Sequence, residues 1–139
     1  MPDVVHEDIE LWLCADLRAQ YAERPDCEAV VYVSNKERNL PAQPGELHVI
    51  VRDDSGPRRD LLLQDLQIGV SVIGDDLALV RRVARITQAL LKRTARVGSG
   101  SPVADVPDDQ LRGPWLIDED NDLYRAYQTA GLSVVGQQL

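Results

Sequence analysis

At 139 residues the chain is long enough for one domain and too short for two ordinary ones, and it can bury a core without disulfide or metal staples. Apolar residues make up 44% and charged residues 27%, as in soluble globular proteins, and no apolar run approaches the ~20 residues of a membrane span. A net charge of −8 argues against general DNA binding, and without a basic-then-apolar leader the expectation is a cytosolic product.

The first predicted element is a helix. Asp3 is placed to cap it, Glu7 and Asp8 suit its positive end, and Val5, Ile9, Trp12, Leu13 and Leu17 form an apolar stripe. Pro25 ends it near Ala22. "EAVVYVSN" follows as a strand dense in β-branched residues, and Lys36 to Glu46 is a loop broken by Pro41, Pro44 and Gly45. "LHVIVR" alternates, with Leu47, Val49 and Val51 on one face and His48, Ile50 and Arg52 on the other. His48 is therefore expected on the less apolar side of a strand and not as a catalytic base. Asp53 to Asp60 is a second turn-rich loop. "LQIGVSVIG" is the strongest strand, with Leu66, Ile68, Val70 and Val72 on one face and Gln67, Gly69 and Ser71 on the other. One side of the sheet is thus expected to be covered and the other polar or open.

Gly74 closes that strand, and Asp75 or Asp76 opens a second helix reaching to Val97, with a stripe of Leu79, Val80, Val83, Ile86, Leu90 and Leu91. Gly98 to Asp109 predicts a flexible segment, and "RGPWLI" returns as a strand. The last stretch is ambiguous: Leu123, Tyr127, Ala130 and Val134 share a helical face, but its Tyr, Thr and Val content and the preceding turn favour a strand. The expectation is one α+β domain over 1–139, with flexible loops near 36–46, 53–60 and 98–110. The order is α-β-β-β-α-β-β, with a mainly antiparallel sheet and both helices on one face.

No catalytic, cofactor or metal residue is predicted. Asp118, Asp120 and Asp122 match the first three ligands of an EF-hand loop, but its glycine position is Leu123 and its bidentate position is Thr129. The segment is expected to be a solvated turn. "GSGS" lacks the lysine and preceding strand of a phosphate loop, and Ser99 lacks the flanks of a nucleophile elbow. Cys14 and Cys27 have no ligand partner at zinc spacing and are expected to be reduced, structural thiols. The pairs Asp53–Asp54, Asp75–Asp76 and Asp108–Asp109 lie in loops or at a helix start, where carboxylates do acid–base work only if they converge in a cleft.

Charge is unevenly spread. Arg81, Arg82, Arg85, Lys92, Arg93 and Arg96 crowd the second helix with no acid between Leu77 and Val97. Three accounts fit: a solvated outer face, contact with the acidic segment Asp105 to Asp122 of a neighbouring subunit, or contact with nucleic acid. The second makes these cations, together with Asp118, Glu119, Asp120 and Asp122, candidate subunit-interface residues.

The stretches "PDVVHEDIELWL", "VIVRDDSGPRRDLLLQDLQIGVSVIGDDLALVRRVARITQALL" and "RGPWLIDEDNDLYRAYQTAGLSVVG" together resemble the tail-terminator proteins of long, non-contractile-tailed bacteriophages. The region Arg52 to Leu91 carries most of the likeness, followed by Gly113–Pro114–Trp115 leading to Tyr124–Arg125. The acidic turn and Gly131 depart from the pattern. The resemblance implies a homo-oligomeric ring, expected to be a hexamer, that caps the tail tube, stops its polymerisation and presents a docking surface to the head connector. It implies no cofactor and no membrane, with genomic DNA passing through the ring without specific binding. The place of such a protein is the head-proximal end of the virion tail, after assembly in the host cytoplasm. On the loops, Lys36, Arg38, Asp53, Asp54, Arg58 and Arg59 are candidates for contact with tube protein or connector. The rival expectations are a head-completion or neck connector ring, a small metal-dependent cytosolic enzyme, and a nucleic-acid-binding module using the basic helix.

Overall fold

In a computed structural model, the chain is described over residues 4–5, 8–37, 43–54, 63–95, 101–118, 122–135 and 137–138. Strand β1 (Val4–Val5) precedes helix α1 (Ile9–Ala22), a short 3-10 turn and strands β2 (Val30–Ser34), β3 (Leu47–Asp53) and β4 (Leu63–Gly74). Helix α2 (Leu77–Lys92), strand β5 (Val103–Asp105) and a second 3-10 turn (Asp108–Gln110) come next. Strands β6 (Leu111–Asp118), β7 (Tyr124–Val135) and β8 (Gln137–Gln138) complete the chain. The fold is α+β and mainly antiparallel, in the order predicted from the sequence, with three short additions.

The main sheet runs β2-β3-β4-β7, and the outer edge of β7 is shared by β6 and β5. Its centre is the antiparallel pair β4–β7, matched from Leu63 opposite Val135 to Gly74 opposite Tyr124. Among the described strand pairs only β2–β3 is parallel. That pairing needs a crossover, and residues 35–37 begin it over the helix-free face: Tyr32 Oη donates to the Lys36 carbonyl at 2.7 Å, and Glu37 bridges Arg125 at 2.6 Å.

Alternation sorts the strand residues as the pattern requires. Leu47, Val49 and Val51 of β3, Leu66, Ile68, Val70 and Val72 of β4, and Ala126, Ala130, Leu132 and Val134 of β7 are buried in one core. Both helices seal that face, α1 over β2 and β3 and α2 over β4, β7 and β6. Burying each of the Leu, Ile and Val side chains stabilises the fold by about 2 kcal/mol relative to exposure. The last stretch is a strand, because its even-numbered residues must face the helices while opposing β4. Gln128 is the exception in this layer: it is fully buried and its Nε2 donates to the Ala84 carbonyl at 2.9 Å.

Several local expectations are corrected. Helix α1 starts at Ile9, not after Asp3, because Val4 and Val5 are extended and paired with Gln138 and Gln137. Its cap is Asp8, whose carboxylate accepts the Leu11 N–H at 3.2 Å. Asp76 caps α2 in the same way through Leu79. Helix α2 stops at Lys92 and not near Val97, as the Thr94 N–H and hydroxyl both turn back to the Leu91 carbonyl. The predicted loop 98–110 contains β5 and a 3-10 turn, because Val103 and Val106 reach the core and Val103 pairs with Val134.

Candidate functional site

Helical spacing sets Arg81, Arg85, Gln88 and Lys92 along one flank of α2, beside the β6 edge. The lower half of this flank is used inside the chain. Gln88 Nε2 donates to the Gly113 carbonyl at 3.2 Å. Lys92 Nζ donates to the Val106 carbonyl and bridges Asp108 at 2.9 Å. The upper half is unused: Arg81 and Arg85 are exposed, have no ion-pair partner among the described residues, and line a cleft of about 230 Å³ with Pro114, Trp115, Leu116 and Ala126. Arg82 points the other way, 3.8 Å from Asp26, which is held at 3.0 Å by Arg24. Those guanidiniums keep the Asp26 carboxyl below its ordinary range, the Arg24 hydrogen bond being the main cause. Arg93 caps the helix and is exposed, and Arg96 lies outside the described residues. The five described cations therefore do not form one surface.

The acidic segment divides similarly. Asp118 ends β6 opposite Tyr124, and Asp122 is exposed with φ 60°, a left-handed conformation that Asp tolerates in turns. Both belong to the β6–β7 hairpin, whose Glu119 and Asp120 lie outside the described residues. The upstream part of the segment lies on the same edge as the basic helix, so Asp108 is the counterion of Lys92 within one chain.

Among the loop candidates, Asp53 and Asp54 end β3 at the same end of the sheet at which β2 delivers Lys36. The Asp53 N–H donates to Glu10 Oε2 at 2.6 Å, Lys36 is exposed, and Asp54 accepts the Tyr127 hydroxyl at 3.2 Å. Arg38, Arg58 and Arg59 lie outside the described residues.

The most conspicuous surface feature escapes motif reading. Trp115, Leu116 and Ile117 of β6 are 49%, 39% and 44% exposed, consecutive on a strand that pairs among the described residues only with β7. Trp115 and Ile117 lie on the helix-free face and Leu116 on the helix face, so the edge is apolar on both sides. Trp115 stacks on Tyr127 with ring centroids 6.3 Å apart and planes 27° from parallel. The Tyr127 ring lies over Gly69, where a Cβ would come 2.6 Å from its hydroxyl. Partial burial, then the Asp54 charge, pushes the Tyr127 hydroxyl above its ordinary pKa. The Gly131 departure has a similar cause: a Cβ there would lie 2.8 Å from Cβ of Gln110, which packs across the strand. The available sequence signal was the run Trp-Leu-Ile, whose exposure depends on which strand forms the sheet edge.

No group of three or more His, Cys, Asp or Glu is close enough to hold a metal among the described residues. His48 is buried against Tyr32, ring centroids 5.0 Å apart. Cys14 and Cys27 are free and buried, and burial pushes the Cys14 thiol up to about 11. No helix among the described residues is long and apolar enough to cross a membrane. No known family model matches the chain, and no curated protein is significantly similar to it.

Proposed function

We propose that the chain is a structural protein of a phage tail, forming a ring that caps the tail tube, ends its polymerisation and offers a docking surface to the head connector. The observation that carries this reading is the β6 edge: three consecutive exposed apolar residues beside two arginines that have no ion-pair partner among the described residues. Such an edge is an aggregation liability unless another protein surface covers it. The likeness of Arg52 to Leu91 and of the Gly113–Arg125 region to tail terminators agrees with it. A hexamer is the expected ring. Genomic DNA passes through its channel without specific binding, which suits a chain of net charge −8. The loops that begin at Lys36 and Asp54 are the proposed contacts for tube protein or connector.

The test is to add the protein to polymerising tube subunits and measure tube lengths by negative-stain microscopy. The expected outcome is capped tubes that stop growing, with added density at one end. Unchanged length distributions at saturating protein overturn the reading.

A further inference from the structure

The two borders of the main sheet are built as counterparts. At one border, β2 pairs among the described strands only with β3, and a groove of about 590 Å³ runs along its free side beneath the end of α1. Val31, 50% exposed, lines it with four charged side chains: Arg24 is paired with Asp26 and Arg18 is bound to the Val33 carbonyl, while the exposed carboxylates Glu23 and Glu28 have no ion-pair partner among the described residues. At the other border is β6, with exposed Leu116 beside Arg81 and Arg85, which have no ion-pair partner among the described residues. One border thus presents an exposed apolar side chain near the carboxylates Glu23 and Glu28, the other an exposed apolar side chain near the guanidiniums of Arg81 and Arg85.

Orientation agrees as well. Val31, at the register irregularity between Val30 and Tyr32, lines the groove together with Tyr21 and Ala22 of α1, while Leu116, opposite Ala126, lies on the helix-bearing side of β6. If two copies extend one sheet, these residues meet on the same side, and the arginines of α2 fall over the carboxylates near the end of α1. Direction also matches. β2 is parallel to β3 and hence to β7, whereas β6 is antiparallel to β7, so β6 and β2 run oppositely in one chain. Copies related by an axis along the strands bring β6 against the neighbour's β2 as an antiparallel pair. Because the two borders differ, the contact is head-to-tail and closes into a ring when the rotation allows.

We infer that the partner of the β6 edge is the β2 border of a second copy of this chain, with Leu116 and Val31 at its centre and Arg81 and Arg85 facing Glu23 and Glu28. This deepens the ring reading and rests on it. It also replaces the acidic segment Asp105 to Asp122 as the counterpart of the basic helix, since Asp108 is already held by Lys92. Arg18, which donates to the Val33 carbonyl at 2.6 Å, covers one end of the β2 edge and confines the docked strand to Val30–Tyr32.

The test is a charge exchange read by native mass spectrometry, with circular dichroism to establish that each variant is folded. One variant carries Arg81→Glu and Arg85→Glu, the other Glu23→Arg and Glu28→Arg. Each alone is expected to lose the ring, and an equimolar mixture to recover it with the two variants alternating. A Val31→Cys, Leu116→Cys variant is expected to oxidise into covalent oligomers, the native thiols being buried. Rings that survive both reversals, or that are lost and not recovered on mixing, overturn this pairing while leaving ring formation intact. Unsubstituted protein that stays monomeric, both free and on tube ends, overturns the pairing and the ring together.

Discussion

The two faces of the central sheet are made from the same strands and meet opposite demands. On the helix-covered face, Ile68, Val70, Val72, Ala130, Leu132 and Val134 are buried against α1 and α2, and specificity comes from close packing. On the other face, Gly69, Tyr127 and Asp54 form a shallow polar surface in which a bare glycine leaves room for an aromatic ring. Part of that face is nevertheless closed: His48, Ile50 and Ile73 are each 3% exposed. The difference teaches that one face holds the fold together while the other, with the strand edges, is left for contact.

If that division is right, the same substitution on adjacent residues of β7 has unequal effects. Ala130→Asp places an unpaired charge in the core and is expected to cost about 5 kcal/mol or more, enough to unfold a marginal domain. Thr129→Asp, on the other face, is expected to cost about 1 kcal/mol or less. Comparable urea midpoints for the two variants break the comparison.

A smaller effect is expected from Leu90→Ala. It leaves a cavity between α2 and the sheet, at about 3 kcal/mol, read as an earlier urea transition with unchanged slope. Gly69→Ala is expected to cost about 1 kcal/mol: the new methyl displaces the Tyr127 ring, whose flexible side chain swings clear. A changed Trp115 fluorescence is the reporter, since its indole stacks on that ring. Fluorescence identical to the parent would show that the ring does not rest on Gly69.

A further expected effect depends on pH. Cys14 is held neutral by burial, with its pKa raised from 9.0 to about 11. A raised acid stabilises the fold fully below its unfolded value, and that contribution is lost as pH rises from about 9 through about 11. Urea titrations across that window should show a loss that shrinks in Cys14→Ser. An identical slope in both proteins removes Cys14 as its source.

Much of the architecture was legible because it is local. The alternation of Leu66, Ile68, Val70 and Val72 and the helical stripe through Val80, Val83, Leu90 and Leu91 each declare an element and its buried side. Short pieces were not legible: β5 has three residues and β1 two, too few to display a period. The candidate site was legible only in part. Arg81 and Arg85 are exposed, but Lys92 has its counterion at home in Asp108 and Arg82 leans towards Asp26.

The order of residues alone determined the α+β class, the succession of the principal helices and strands, and which face of each is apolar, since these follow from periodicities a few residues long. Tertiary structure decided which strands stand at the borders, that Trp115, Leu116 and Ile117 are left uncovered, and which cations are already neutralised. Those outcomes depend on pairings between residues far apart in the chain, such as Leu116 with Ala126 and Leu66 with Leu132, and no local pattern encodes them.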